Sequence, residues 1–291
     1  MLPSINIGIM ELPLYGPMFL IGFIIAIVIA VKLGHKYGMK KDDILTAAVY
    51  GAIGLFIGAK AFYFFTKIPS IIKHWDDFIS NMKADFTGGL DYMFGGMVFY
   101  GGLIGFCLGV LRYCVHFKVN IWDITDLYAP LLPLAHGFGR IGCFLAGCCY
   151  GMEYHGPLAV HFPDNGFNYE LSSVPRFPVQ LLEAFLNFIC FGVLLTVLIK
   201  SANRPKGSRK LKQGRLLGIY LTYYLIARTF LEMLRGDSIR GSVGFLSTSQ
   251  LISILLIPAA VFFVIAKGRK EIFSGLETIE NGNSEVKTAK K

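Results

Sequence analysis

The chain has 291 residues, of which 54% are hydrophobic and 16% charged, and its mean hydropathy is +0.56. Soluble globular proteins carry about 25% charged residues, so this composition excludes a water-soluble globule, and it excludes a disordered or fibrous chain as well. Six cysteines are too few for a disulfide scaffold, and the net charge of +9 has to be located before it can be read.

A helix needs about 20 mostly apolar residues to cross a bilayer. Seven stretches qualify in chain order: 12–31, 44–66, 94–115, 123–148, 177–199, 214–235 and 245–266. The fourth is the least regular, with Pro130 and Pro133 followed by a glycine-rich run. Such breaks survive in a membrane only where protein or a wet cavity covers the freed backbone groups. Nothing basic precedes the first span and no small-residue cleavage site follows it, so no cleavable signal peptide is expected. The expected fold is therefore an all-α polytopic membrane protein with seven transmembrane helices over residues 1–268. A polar tail, 269–291, is expected to be disordered. The loops 67–93 and 149–176 are candidate caps over a site, and Ile68 to Met82 reads as an amphipathic stretch lying on the membrane.

The basic residues give the orientation. Nineteen of the 28 lie in loops 1–2, 3–4 and 5–6 or in the tail, and six lie on the opposite side. By the positive-inside rule the N-terminus is outside and the C-terminus cytoplasmic. The +9 is thus an orientation signal, and no nucleic-acid motif accompanies it.

Three basic residues remain inside the spans: Lys60, Arg140 and Arg228. An intramembrane cation costs about 2.5–3.5 kcal/mol on insertion scales, which favours a functional reading. At 1.5 Å rise per residue, each lies roughly 9–12 Å below the outer end of its span. Tyr100, Gln180, Glu183, Glu232 and Gln250 fall at similar depth and Tyr15 enters from the outer end of the first span, whereas the inner halves hold almost nothing ionisable. The pattern predicts a polar, net cationic pocket facing the outer leaflet, where a phospholipid phosphate hangs. Arginine matches phosphate with a planar fork. No nucleotide or metal motif is evident, so no cofactor is expected.

Helical spacing refines this. Arg228, Glu232 and Arg235 are spaced i, i+4, i+7 and share a face; Glu232 either holds Arg228 in place or serves as an acid or base. His136 and Arg140 are four apart, and His136 is a candidate general base or a structural histidine. The glycines of GGMVFYGGLIG, Gly101 and Gly102 among them, permit close approach of a helix or a headgroup. Cys143, Cys148 and Cys149 match neither CxxC nor a usual zinc pattern; packing residues or a disulfide at the outer face are the preferred readings.

These segments resemble the bacterial prolipoprotein diacylglyceryl transferases. The likeness runs from about Tyr15 to Gln250, through LYGPMFLIGF, IGAKAFYFF, GGMVFYGGLIG, DLYAPLLPLAHGFGRIGCFLAGCCYG, RFPVQLLEA, ARTFLEMLRGD and STSQLIS. It implies an enzyme of the bacterial inner membrane, with its active site at the outer leaflet. That family moves diacylglyceryl from phosphatidylglycerol to the lipobox cysteine of a prolipoprotein signal peptide, releasing glycerol phosphate. The resemblance implies that Arg140 and Arg228 hold the phosphate, and Tyr15, Glu232 and Gly151 fall on family motif positions. Lys60, Gln180, Glu183, Gly101, Gly102, Arg235 and Gln250 complete the expected headgroup site. Partners are then phosphatidylglycerol, the prolipoprotein and membrane lipids, with no nucleic acid.

Several positions depart from the family pattern. Lys60 stands where the family usually has Arg, Tyr100 where it has His, Cys143 where it has Asn, and Cys148 where it has an acid. Either Tyr100 or a remote base such as His136 takes over, or the chain is a paralogue that serves another acceptor. A non-catalytic phospholipid-binding or transport protein is the further alternative.

Overall fold

A computed structural model of the protein describes residues 4–6, 11–162, 173–205, 210–236, 242–243, 246–265 and 270–273. The tail beyond 273, Arg240 and the middle of the 149–176 loop lie outside the described residues. The helices are α1 (Tyr15–Lys36), α2 (Lys41–Lys73), α3 (Trp75–Ala84), α4 (Phe86–Phe94), α5 (Phe99–Phe117), α6 (Ile121–Tyr128) and α7 (Leu131–Leu145). They continue with α8 (Val179–Ala202), α9 (Arg215–Met233) and α10 (Thr248–Ile265). Strand among the described residues is confined to two antiparallel hairpins. One joins β1 (Ser4–Asn6) to β2 (Glu11–Pro13), with Ser4 opposite Pro13; the other joins β3 (Ser242–Val243) to β4 (Leu246–Ser247).

Four helices, α1, α2, α5 and α8, are long and apolar enough to cross a membrane, and α7 and α10 contain shorter apolar helices. The chain is a helical, polytopic membrane protein. α9 has 19 residues, but Arg215, Arg228, Glu232 and three tyrosines dilute its apolar character. The expected fourth span is two helices. α6 stops at Tyr128, Pro130 caps α7, and Pro133 falls in the first turn of α7, where a missing N–H is tolerated. The expected loop 67–93 is mostly helix, because α2 runs on to Lys73 through Pro69 and is followed by α3 and α4. The predicted amphipathic stretch is interrupted at His74, where α2 ends.

The chain divides into two compact units, one formed by Met1–Gly38 with Thr125–Lys291, the other by Met39–Ile124. In the second unit α2 packs against α5 through glycines. A Cβ at Gly58 would lie 2.2 Å from the carbonyl oxygen of Gly101, and one at Gly105 would lie 2.0 Å from that of Gly54. The spacing of Gly54 and Gly58 on α2, and of Gly101, Gly105 and Gly109 on α5, lets the two backbones touch. Tyr113 donates to Asp43 at 2.7 Å and ties the far end of the pair. The Asp85 side chain caps α4 by accepting from Gly88 N at 3.0 Å.

In the first unit α7 lies between α1 and α8, and α9 pairs with α10. α1 approaches α7 closely at Gly142, where a Cβ would lie 3.1 Å from the Tyr15 Cα. Asp126, fully buried, accepts the backbone N–H of Gly214 at 2.7 Å and anchors the start of α9.

Candidate functional site

α7 carries the HGFGR segment as regular helix despite its glycines, so His136 and Arg140 stand one turn apart. Arg140 donates Nε to His136 Nε2 at 3.2 Å. Its Nη2 meets Glu183 Oε1 at 2.9 Å, and the same oxygen lies 3.3 Å from His136 Nε2. Glu183 is 3% exposed, and a carboxylate that deep must be paired. It comes from α8, where Gln180, Glu183 and Asn187 form a buried polar stripe on an otherwise apolar helix. That 3–4 spacing is legible in the sequence, although the pairing of Glu183 with Arg140 was not. Tyr224 adds a ring 5.6 Å from that of His136.

α9 supplies the second buried arginine. Arg228, 6% exposed, is ion-paired with Glu232 one turn on and donates to Ser249 Oγ at 3.3 Å. Its Nη1 is buried with no hydrogen-bond partner among the described residues. Gln250 accepts from Ser247 N at 3.0 Å and donates to the Thr229 carbonyl at 3.2 Å. Gln250 therefore clamps the start of α10 to α9 and sets Ser249 against Arg228. Glu183 also lies in the field of Arg228, so the two ion pairs act on one another.

The turn after α7 is a Schellman cap. Gly147, at φ 67°, donates to Phe144 O at 3.2 Å, and Cys148 N donates to Cys143 O at 3.1 Å. That cap brings the side chains of its third-last and second-following positions together, here Cys143 and Cys148. Cys149, at φ 60°, completes a cluster whose three Sγ atoms all lie within 4.8 Å of one another. Counting CxxC spacings misses this; the run C-F-L-A-G-C, read as a glycine helix stop, contains it.

From there the chain is gripped on both sides. Met152 N donates to Leu234 O at 2.9 Å, and Phe177 N donates to Met152 O at 3.0 Å. Gly151 forms a bridge with Arg235, and a Cβ on it would lie 2.3 Å from the Phe177 oxygen. Arg235 thus lies beyond the end of α9 rather than on its helical face, and its side chain reaches the Cys149 thiol. Gln180, 0% exposed, donates to Cys148 O at 2.9 Å and keeps a buried, unbonded Oε1. Tyr15, at the start of α1, lies within electrostatic reach of Arg140 and of all three cysteines. The first unit therefore gathers Tyr15, His136, Arg140, Gly151, Gln180, Glu183, Arg228, Glu232, Arg235 and Gln250 along one chain of contacts.

The second unit carries Lys60, Tyr100, Gly101 and Gly102. Lys60 donates Nζ to Phe94 O, and Gly95 O lies at 3.4 Å, so its charge sits at the negative end of α4. Gly101 faces Gly58 and Phe62 in the helix crossing, which answers the close-approach question in favour of a helix. Tyr100 is 52% exposed.

The sequence profile of the family described as Prolipoprotein diacylglyceryl transferase matches residues 3–266. The chain is similar to the phosphatidylglycerol–prolipoprotein diacylglyceryl transferase 2 of Clostridium perfringens (strain 13 / Type A), at 36% identity over 261 residues, 88% of this chain and 93% of that one. The enzyme of Clostridium tetani (strain Massachusetts / E88) is 34% identical over 261 residues, 88% and 94% of the two chains. That of Proteus mirabilis (strain HI4320) is 28% identical over 294 residues, 91% of each. With a matched profile over nearly its whole length, the chain belongs to the prolipoprotein diacylglyceryl transferase family.

Proposed function

We propose that this protein transfers the diacylglyceryl group of phosphatidylglycerol to the lipobox cysteine of a prolipoprotein, releasing glycerol phosphate. The observation that carries the reading is the pair of buried arginines, Arg140 and Arg228, each fixed by its own carboxylate in a membrane helix of a member of this family. The acceptor thiolate attacks the glycerol carbon that bears the phosphate ester. The C–O bond breaks with its electrons passing to phosphate, and an S–C thioether forms. Arg140 and Arg228 stabilise the charge that grows on the leaving phosphate. Preorganised donors aimed at developing charge are worth about 10²–10³ in rate each.

The surrounding groups keep that preorganisation. Glu183 and His136 hold Arg140 from two sides, and Glu232 with Ser249 holds Arg228, so neither guanidinium has to be ordered when lipid arrives. In this arrangement the Nε2 lone pair of His136 accepts from Arg140, so His136 orients that arginine; a role as base requires that bond to break. Gln180, Tyr15 and Arg235 complete the headgroup side. The seven spans, the outside N-terminus, the cytoplasmic C-terminus and an active site at the outer leaflet of the bacterial inner membrane belong to the same proposal. They are supported by the distribution of basic residues.

The test uses the full chain purified in detergent, with phosphatidylglycerol and a lipobox peptide, and measures release of glycerol phosphate. Arg140→Ala and Arg228→Ala are expected to lose at least about 10²-fold, while Arg112→Ala on α5 leaves the rate unchanged. Folded protein that binds phosphatidylglycerol without turnover would instead make it a lipid-binding relative of the enzymes.

A further inference from the structure

The three cysteines at the end of α7 are not used by the reading above, and they are not placed at random. The Schellman cap fixes Cys143 beside Cys148 through backbone hydrogen bonds. Cys149 would normally turn away, since successive side chains of an extended chain point to opposite faces. It is instead held at φ 60°, a left-handed conformation that costs a residue with a Cβ about 1–3 kcal/mol. The outcome is three sulfur atoms around one point, all within 4.8 Å of one another. Three sulfurs bound to one zinc ion at about 2.3 Å each stand about 3.8 Å apart in a tetrahedral arrangement, so a contraction of about 1 Å or less closes the cluster on an ion.

The geometry points to Cys143, Cys148 and Cys149 as a three-thiolate site for one Zn²⁺ ion, with the fourth position open to the acceptor thiol. A disulfide would use two of the sulfurs and leave the third without purpose. Three protein ligands and one open position are the pattern of catalytic zinc, whereas structural sites are closed by four. Cys143 is buried, while Cys148 is exposed and Cys149 intermediate, so the cluster can be reached from the Cys148 side. Zn²⁺ with three thiolates carries a net charge of −1. Arg235, which reaches Cys149, and Arg140, whose charge acts on Cys143, offset it. The carbonyl of Cys148 is held by the buried Gln180, which steadies the ligand loop as outer partners do in metal sites.

The inference rests on the diacylglyceryl-transfer reading and supplies what that reading lacks in this chain, a means of deprotonating the acceptor where Tyr100 stands. A thiol that coordinates zinc is deprotonated outright. An ion held by Cys143, Cys148 and Cys149 would acidify an acceptor thiol at its open position, the proton passing to water; the acceptor sulfur would form the S–C bond as the C–O bond to phosphate breaks, and the product would be the neutral thioether. The net step consumes thiol and phosphatidylglycerol and yields thioether, glycerol phosphate and one proton.

The experiment titrates the chelator-treated full chain in detergent with Cd²⁺ and follows the thiolate-to-cadmium charge-transfer absorption. The expected result is saturation at one equivalent per chain. Cys143→Ser and Cys149→Ser should weaken binding by at least about 100-fold, since even outer partners of a metal site are worth 10–100-fold. The triple change Cys107→Ser, Cys114→Ser, Cys190→Ser should leave binding intact. If a cluster variant does not fold, protection of Cys148 and Cys149 of the unaltered protein from alkylation by Zn²⁺ is read instead. Absence of the band and of protection, or an intact mass showing a disulfide within the cluster, overturns the site. Glycerol phosphate release that survives chelation overturns the zinc role and leaves the transferase reading standing. Metal binding with no turnover on any lipobox peptide sinks the transferase reading and leaves the site.

Discussion

The guanidinium of Arg140 meets the Glu183 carboxylate at 2.9 Å, across the α7–α8 contact, with little solvent access to either side chain. The carboxylate lowers the cost of holding a cation in an apolar setting and fixes the direction in which the remaining N–H donors point. Arg228 and Glu232 repeat the device within α9. Each buried arginine is therefore anchored by its own carboxylate.

Glu183→Gln tests that device. It removes the counter-charge of Arg140 while preserving shape. Breaking a buried ion pair from one side costs about 3–5 kcal/mol, and the retained amide should place this change near the lower end. Thermal unfolding in detergent should show the loss, together with a fall in turnover. An unchanged melting temperature would mean that the pair contributes nothing to the fold.

Neighbouring glycines on α5 should behave oppositely. A Cβ at Gly101 would lie 2.4 Å from the Gly58 oxygen and from the Phe62 Cβ, whereas one at Gly102 meets nothing closer than 3.4 Å. Gly101→Ala should destabilise by about 1–3 kcal/mol or more. Gly102→Ala should be neutral, or stabilise by up to about 1 kcal/mol through helix propensity. Paired unfolding curves check this. A drop in phospholipid affinity for Gly102→Ala at unchanged stability would place the headgroup at Gly102.

Gly151→Ala should separate the segment after the cysteines from its two neighbours, because the new methyl would fall 2.3 Å from the Phe177 oxygen. The expected effect is a loss of activity of at least about 10-fold with the helices intact. The readouts are turnover and faster hydrogen exchange at Met152 and Phe177, whose N–H groups lose their partners. Unaltered exchange would show that the bridge opens without consequence.

Tyr100 carries the departure that bears most on mechanism. Tyr100→His restores the side chain the family usually has there; with the acceptor thiol already ionised at the cysteine cluster, turnover should change by less than about threefold, whereas a rise toward the roughly 10²–10⁴ that base catalysis is worth would show that the thiol arrives protonated. Tyr100→Phe gives the hydroxyl its own test. If neither changes the rate, the acceptor thiol is activated elsewhere in the chain.

Asp85 gives a pH-dependent local effect. Hydrogen bonds from Gly88 N and Thr87 hold its carboxyl below the ordinary value of 3.8. A depressed carboxyl contributes stability above the unfolded value and loses it as pH falls through the folded one. Amide exchange at the start of α4 should therefore accelerate only below about pH 4, and Asp85→Ala should abolish that dependence.

Much of this was legible in the chain. Composition and span lengths gave the helical membrane class, and the Arg228–Glu232 spacing gave its ion pair, because both are local and periodic. What was not legible is tertiary. The Arg140–Glu183 pair needs α7 beside α8, Lys60 needed the end of α4 to reveal its carbonyl partners, and Pro130 divided a span that hydropathy runs together. Arg235 left the helical face because α9 stops at Met233. The cysteine cluster lay between the two cases: its first pair follows from a glycine helix stop, and its third member depends on a left-handed residue that no spacing rule reports.

Diacylglyceryl transfer to a cysteine thiol at the Arg140–Arg228 site is read most directly from the mass of a lipobox peptide after incubation with the purified protein and phosphatidylglycerol. The expected product carries one thioether-linked diacylglyceryl group on the cysteine, with none on a Cys→Ser peptide and none with Arg140→Ala or Arg228→Ala. An unmodified peptide alongside folded, phosphatidylglycerol-bound protein would contradict it.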